Sequence, residues 1–200
     1  MFKRIAAVVA ALACSAAIAV GANLSLITGP QDPSQLNATI NTLIQSINSG
    51  VNGTLASATA DASTTATTVE TTLQTYTLPA SQLSANGQAL RIQCWGSTGA
   101  NANNKTIKLY FGGVSMTTGA YAGNAQSWFL RMLVQRRTAT TQSVQTEGVA
   151  GTGSLTPIAV TNQAGTETLT STVVIKCTGT NGTASATDIT AAGMLVEQLK

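Results

Sequence analysis

The chain has 200 residues, 44% of them hydrophobic, yet only 8% are charged, 4% are aromatic and none is histidine. Thr, Ser, Asn, Gln and Gly occupy the places that Lys and Glu fill in an average soluble domain, a neutral polar surface that fits extracellular or particle-borne β-structure and argues against a cytosolic enzyme. The net charge of +3 includes Lys3 and Arg4 at the N-terminus, so the remainder is close to neutral and offers no basic face for nucleic acid.

Residues 1–22 open with Met1-Phe2-Lys3-Arg4 and continue as IAAVVAALACSAAIAVGA. A short positive region, an apolar run and small-residue sites at Ala17-Ile18-Ala19 and Val20-Gly21-Ala22 are the layout of a secretory signal peptide. An apolar helix of about 18 residues also approaches the thickness of a bilayer core, and its alanines permit close helix packing. Two readings stand: a cleaved signal, or a retained apolar helix that anchors the chain. Only the second brings a membrane among the partners.

Residues 23–50, NLSLITGPQDPSQLNATINTLIQSINSG, carry helix punctuation. Asp32 suits an N-cap, Pro33 the first helical position and Gln35 a capping box, and Gly50 supplies the stop. The spacing predicts a helix from about Pro33 to Asn48, with Leu36, Ile40, Leu43 and Ile47 as its apolar stripe. Such a stripe serves attachment or oligomerisation, closing around three copies or docking on a larger partner, or it packs on its own domain. Residues 51–77 are dominated by Thr, Ala and Ser, and β-branched threonines weaken helix propensity. They read as a stalk or linker, extended or weakly helical.

From 78 to 200 the large side chains are dealt out two-sidedly. Leu90, Ile92 and Cys94 alternate with Arg91, Gln93 and Trp95, and Ile107, Leu109 and Phe111 alternate with Lys108 and Tyr110, which predicts two strands joined by a polar, Gly- and Asn-rich connection. The Asn86-Gly87 turn, the strand ending Cys94-Trp95-Gly96, the tract Ala100-Asn101-Ala102-Asn103-Asn104-Lys105 and the strand ending Phe111-Gly112-Gly113 together resemble the β-sandwich modules of tailed-bacteriophage structural proteins. Those include tail and head fibres and decoration proteins, and the resemblance covers about residues 78 to 200. It implies a trimer on the virion, with other head or tail proteins as partners and a host-surface glycan or protein as a candidate target. The wording SLITGPQDPSQLNATINTLIQSINSGV is similar to N-terminal segments that tether a phage fibre or spike, which implies that residues 1 to about 50 attach and the C-terminal domain projects.

Farther along, Ala125 to Arg137 places Trp128, Leu130, Met132 and Val134 on one face and Phe129, Arg131, Leu133 and Gln135 on the other. Both faces are apolar at its start, as in a central strand or one whose outer face meets another subunit. Further strands are expected at Ser143–Glu147, Leu155–Thr161, Glu167–Thr178 and Ala192–Leu199, with polar turns between them. The fold class that follows is mainly β: an antiparallel sandwich or jelly roll preceded by a helical anchor segment.

The search for chemistry returns little. Seven carboxylates are scattered singly, there is no CxxC, and no serine has a histidine base, so no catalytic residue, metal or cofactor is expected. Glu147 and Glu167 are the one pair considered for glycosidase work, and Arg131, Arg136 and Arg137 the one local cationic cluster. Cys94 and Cys177 fit the apolar parity of their strands and are read as reduced and buried, with a disulfide between them the alternative. Tyr121, in a polar loop, is the candidate surface-binding residue, since a flat ring there could stack on a sugar. The function expected is a non-enzymatic virion structural protein, with an exported bacterial surface adhesin, secreted or on the cell surface, as the alternative. An intact mass that begins at Met1 supports the first, and a start near Val20 or Asn23 the second.

Overall fold

Apolar and polar side chains that alternate along one strand can be separated only if a second layer covers the apolar set. The computed structural model describes residues 53–152 and 156–199, and the apolar run 1–22 and the helix bearing Leu36, Ile40, Leu43 and Ile47 lie outside the described residues. The strands are β1 (Gly53–Ala58), β2 (Ala62–Ser63), β3 (Thr71–Leu78), β4 (Ala89–Thr98), β5 (Asn104–Phe111) and β6 (Val114–Thr117), followed by β7 (Tyr121–Ala122), β8 (Ser127–Arg136), β9 (Gln142–Gly151), β10 (Thr156–Gly165), β11 (Val173–Asn181) and β12 (Ile189–Leu199).

They form two antiparallel sheets. The larger has the order β1-β12-β4-β8-β9-β10 with β2 beside β12, and the smaller the order β3-β11-β5-β6 with β7 beside β5. Both turn their apolar faces into one core. Leu90, Ile92 and Cys94 of β4 and Leu130, Met132 and Val134 of β8 meet Ile107, Leu109 and Phe111 of β5 and Ile175 and Cys177 of β11, all fully buried. Each aliphatic or aromatic side chain so buried contributes roughly 1.5–3 kcal/mol before chain entropy is set against it. Strands β4 and β5 therefore lie in different layers, and residues 99–103 carry the chain from one to the other. The Asn86-Gly87 turn is also present: Gly87 has a φ of 92°, a left-handed conformation that favours glycine.

The run Ala125–Arg137 is a strand, β8, and it sits centrally between β4 and β9, as its two apolar faces imply. Strand β11 of the smaller sheet begins at Val173, several residues later than the expected start at Glu167. Leu169 is buried there from a turn, with its N–H donating to the Ala139 carbonyl and its own carbonyl accepting from the Ser81 N–H.

The stalk expected at 51–77 is corrected by the structure. Strand β1 pairs with β12 at the edge of the larger sheet and β3 with β11 at the edge of the smaller one, so residues from Gly53 onward belong to the domain, within a unit spanning Asn52–Lys200. An edge strand needs few bulky residues, because one face and one ladder are open to water. Here Leu73 and Leu78 are the buried pair. Thr64 is buried between the strands, its N–H bonding the Ile189 carbonyl at 2.9 Å and its hydroxyl accepting the Ile189 N–H at 3.1 Å. The Asn181 amide secures the following loop through the carbonyls of Thr65 and Thr67. The threonines that weaken a helix favour a strand for the same χ1 reason.

Cys94 and Cys177 are free thiols, fully buried on facing strands of the two sheets. Burial, together with the neighbouring Cys94 thiol, pushes the Cys177 thiol well above its ordinary value, so Cys177 does not behave as a reactive thiolate.

Two outcomes check the revised boundary. A fragment beginning at residue 78 loses an edge strand from each sheet and is expected to show no cooperative thermal transition by circular dichroism, whereas one beginning at residue 52 melts cooperatively. Leu73→Ala, which leaves a cavity between the layers, is expected to lower stability by about 2–5 kcal/mol in urea unfolding.

Candidate binding face

The outward residues of the larger sheet follow from the same parity that fills the core. In the β4–β8–β9 ladders Trp95 stands opposite Phe129 and Phe129 opposite Val149, Gln93 opposite Arg131 and Arg131 opposite Glu147, and Arg91 opposite Leu133 and Leu133 opposite Gln145. An aromatic row thus runs beside two rows that carry amides and paired charges.

Trp95 is 37% exposed, the one aromatic among the large apolar side chains left exposed in the described residues. Its indole lies against the backbone of β12 at Gly193, opposite it in the β12–β4 ladder. A Cβ at 193 would fall within 2.8 Å of Trp95 Cε2 and closer still to Cζ2, so only glycine leaves room for the ring in this position. Part of the ring is thereby packed on the β12 strand.

Beside it, Arg91, Arg131, Leu133, Gln145, Glu147 and Leu199 border a shallow groove of about 280 Å³. Both guanidiniums are paired: Arg91 Nε is 2.8 Å from Glu197 Oε2, and Arg131 contacts Glu147. Exposed pairs of this kind add little stability. They do fix donors and acceptors side by side, with no net charge.

The outer face of the smaller sheet is different. Tyr110 has Lys176 Nζ 4.6 Å from its ring centroid, and its hydroxyl donates to Glu70 Oε1 at 2.7 Å. Glu70 also accepts from Lys108 at 2.9 Å and from the Thr178 hydroxyl at 2.8 Å. Burial pushes the Glu70 carboxyl up, but the hydrogen bonds from Lys108, Tyr110 and Thr178 outweigh it and hold the value at about 2. These groups satisfy one another.

Tyr121 is not the exposed loop aromatic that the sequence suggested, and this expectation is corrected. Strand β7 pairs with β5, which puts Tyr121 opposite Lys105 and packs its ring against the core. Its hydroxyl is buried without a protein partner, and burial pushes its pKa up to about 12. The arginine cluster does not converge either, since Arg131 faces Glu147 while Arg136 Nη1 donates to the Leu83 carbonyl at 2.6 Å. Glu147 is held by Arg131, and Glu167 accepts the Gly113 N–H at 2.7 Å, so the two considered as a glycosidase pair serve separate contacts. Among the described residues no three His, Cys, Asp or Glu side chains gather as metal ligands.

Trp95 and Phe129, absent from the sequence-based candidates, were legible by parity. Each alternates with buried neighbours and shares its side of the strand with Arg91, Gln93 or Arg131. The seating of the ring against Gly193 had no such signal, because it depends on the β4–β12 register.

No family model matches this chain, and no curated protein matches it. Among solved structures it is similar to the CBM2 module of the evolved Dit of Lactobacillus casei BL23 phage J-1, at 9% identity over 62% of this chain and 67% of that one, with a TM-score of 0.27. A likeness so slight carries no weight for the site described above.

The depressed Glu70 value stabilises the fold above its ordinary 4.5, and that contribution is lost as the pH falls toward 2. Glu70→Gln is therefore expected to be less stable than the parent at neutral pH, by less than about 1 kcal/mol because the group is partly exposed. The difference should close between pH 4.5 and 2 in urea titrations. Tyr121→Phe, which removes an unpartnered buried hydroxyl, is expected to leave the melting temperature unchanged or raise it.

Proposed function

We propose that this chain is a non-enzymatic component of a tailed-phage particle whose β-sandwich recognises neutral saccharide on the host surface through the outer face of the larger sheet. The single observation that carries the reading is the Trp95 indole, seated against Gly193 and 37% exposed on the outer face of the larger sheet. A pyranose has an apolar C–H face and a rim of hydroxyls. The face stacks on an aromatic plane, and the rim needs fixed donors and acceptors at the plane's edge. Gln93 and the paired Arg131 and Glu147 stand in the adjoining row. With each guanidinium matched by a glutamate, the face favours an uncharged sugar over an acidic one.

The resemblance of residues 78 to 200 to phage structural modules supports a virion role in this reading. Residues 1–50 would attach it to other head or tail proteins, with Leu36, Ile40, Leu43 and Ile47 forming the contact, and three copies would project together. Fibre, spike and decoration positions are all compatible with that arrangement. The second reading is an exported bacterial adhesin, favoured by the signal-like layout of residues 1–22, and it uses the same face.

The test is binding of the full chain to an array of neutral and acidic saccharides. Trp95→Ala is expected to weaken binding at least tenfold, about 1.4 kcal/mol, while the variant still melts cooperatively. Affinity for the preferred saccharide should be nearly independent of salt from roughly 0.05 to 0.5 M, because no net charge is screened. If no saccharide binds and Trp95→Ala instead dissociates an oligomer in analytical ultracentrifugation, the face is a subunit contact and the reading fails.

A further inference from the structure

The crossing from β4 to β5 holds a second constellation, separate from the binding face. Lys105, the second residue of β5, and Asp188, just before β12, have side chains that are both 0% exposed, with Lys105 Nζ 3.6 Å from Asp188 Oδ1. Asn101 lies between them. Lys105 Nζ is 2.8 Å from Asn101 Oδ1, 3.2 Å from the Asn101 carbonyl and 2.9 Å from the Asn103 carbonyl. The side-chain amide nitrogen of Asn101 donates to Asp188 Oδ1. The Asn103 N–H donates to Asn101 Oδ1 at 3.0 Å.

The geometry points to a self-catalysed isopeptide bond between Lys105 Nζ and the side-chain carbonyl carbon of Asn101. Each part of an acyl transfer is present. Lys105 is the nucleophile and the Asn101 amide the electrophile. Asp188 is hydrogen-bonded to the nitrogen that must leave and lies near the attacking amine. The Asn103 N–H already donates to the oxygen on which negative charge develops. Lys105 and Asp188 are sealed from water and Asn101 is half-buried against them, a pre-assembly that removes most of the entropic barrier to an intramolecular reaction.

The step balances. The Lys105 ammonium gives one proton to the Asp188 carboxylate, and the resulting amine attacks Asn101 Cγ. Asp188 then passes its proton to Asn101 Nδ2 and takes another from Nζ, the Cγ–Nδ2 bond breaks, and ammonia departs. The products are a secondary amide, ammonia and a neutral Asp188 carboxyl, with no oxidant, reductant or cofactor consumed. Two charges sealed from solvent become none, which relieves the several kcal/mol that desolvating each ion costs. Water that would compete is excluded in part by the Tyr121 ring, packed on the core opposite Lys105 in the β5–β7 ladder.

Peptide mass spectrometry of the purified full chain after trypsin decides the matter. Trypsin cuts after Arg91, Lys105 and Lys108 in the sequence, so an unlinked chain yields Ile92–Lys105 at its full mass. A linked chain resists cleavage at Lys105 and is expected to yield Ile92–Lys108, lighter than its sequence by one ammonia. Asp188→Asn, which keeps the shape but removes the acid, is expected to restore Ile92–Lys105 at full mass. The parent alone settles the question if that variant does not fold. Three results overturn the proposal: Ile92–Lys105 at full mass from the parent; the same peptide light by one ammonia but still cut at Lys105, which is a succinimide at Asn101; and a branched product joining Lys105 to the Asp188 peptide with loss of water.

Discussion

Water is kept out of the space between the two sheets by side chains that point inward at every second position of β4, β5, β8 and β11, and the other features of the domain depend on that exclusion. With Leu90, Ile92 and Cys94 from one layer and Ile107, Leu109 and Phe111 from the other fully buried, the cooperative part of stability lies in the inner faces. The outer faces are thereby released from it. On the smaller sheet they close into a network of Glu70, Lys108, Tyr110 and Thr178. On the larger sheet they leave an aromatic surface open.

The same exclusion makes the passage between layers demanding. A chain that leaves one sheet and enters the other must satisfy its backbone polar groups at the rim of an apolar interior. Residues 99–103 do so with help from distant sequence: the Gly99 N–H bonds the Asp188 carbonyl at 2.9 Å, and the Lys105 ammonium takes the carbonyls of Asn101 and Asn103. Polar groups gathered there for closure are, by that gathering, held close enough to react with one another.

What could be read from the sequence divides along the period-two rule. Strands β4, β5 and β8 were legible because each carries three or more large apolar residues at alternate positions, and β12 because Met194 and Val196 alternate beside Leu195; the outward placement of Trp95 and Phe129 came with them. Strands β1 and β3 were read as a stalk. Their side chains are mostly small or β-branched, and Leu55, Leu73, Tyr76 and Leu78 do not amount to a pattern. Strands β6 and β7 are too short to show a period. Tyr121 was misplaced for a related reason: Gly119 and Gly123 around it signal a loop, but the two-residue ladder that turns its ring inward pairs it with Lys105, a contact that no local pattern encodes. The buried ion pair was equally hidden, since Lys105 and Asp188 read alone as ordinary surface charges.

The seat of Trp95 bears on how such a surface changes over generations. Its position depends on the absent side chain at Gly193, a buried residue on a different strand. A single methyl at 193 would displace the indole while every exposed group kept its identity. A change in the shape of that outer face would then be encoded at a concealed position, and comparing only the visible residues of two variants would miss the difference between them.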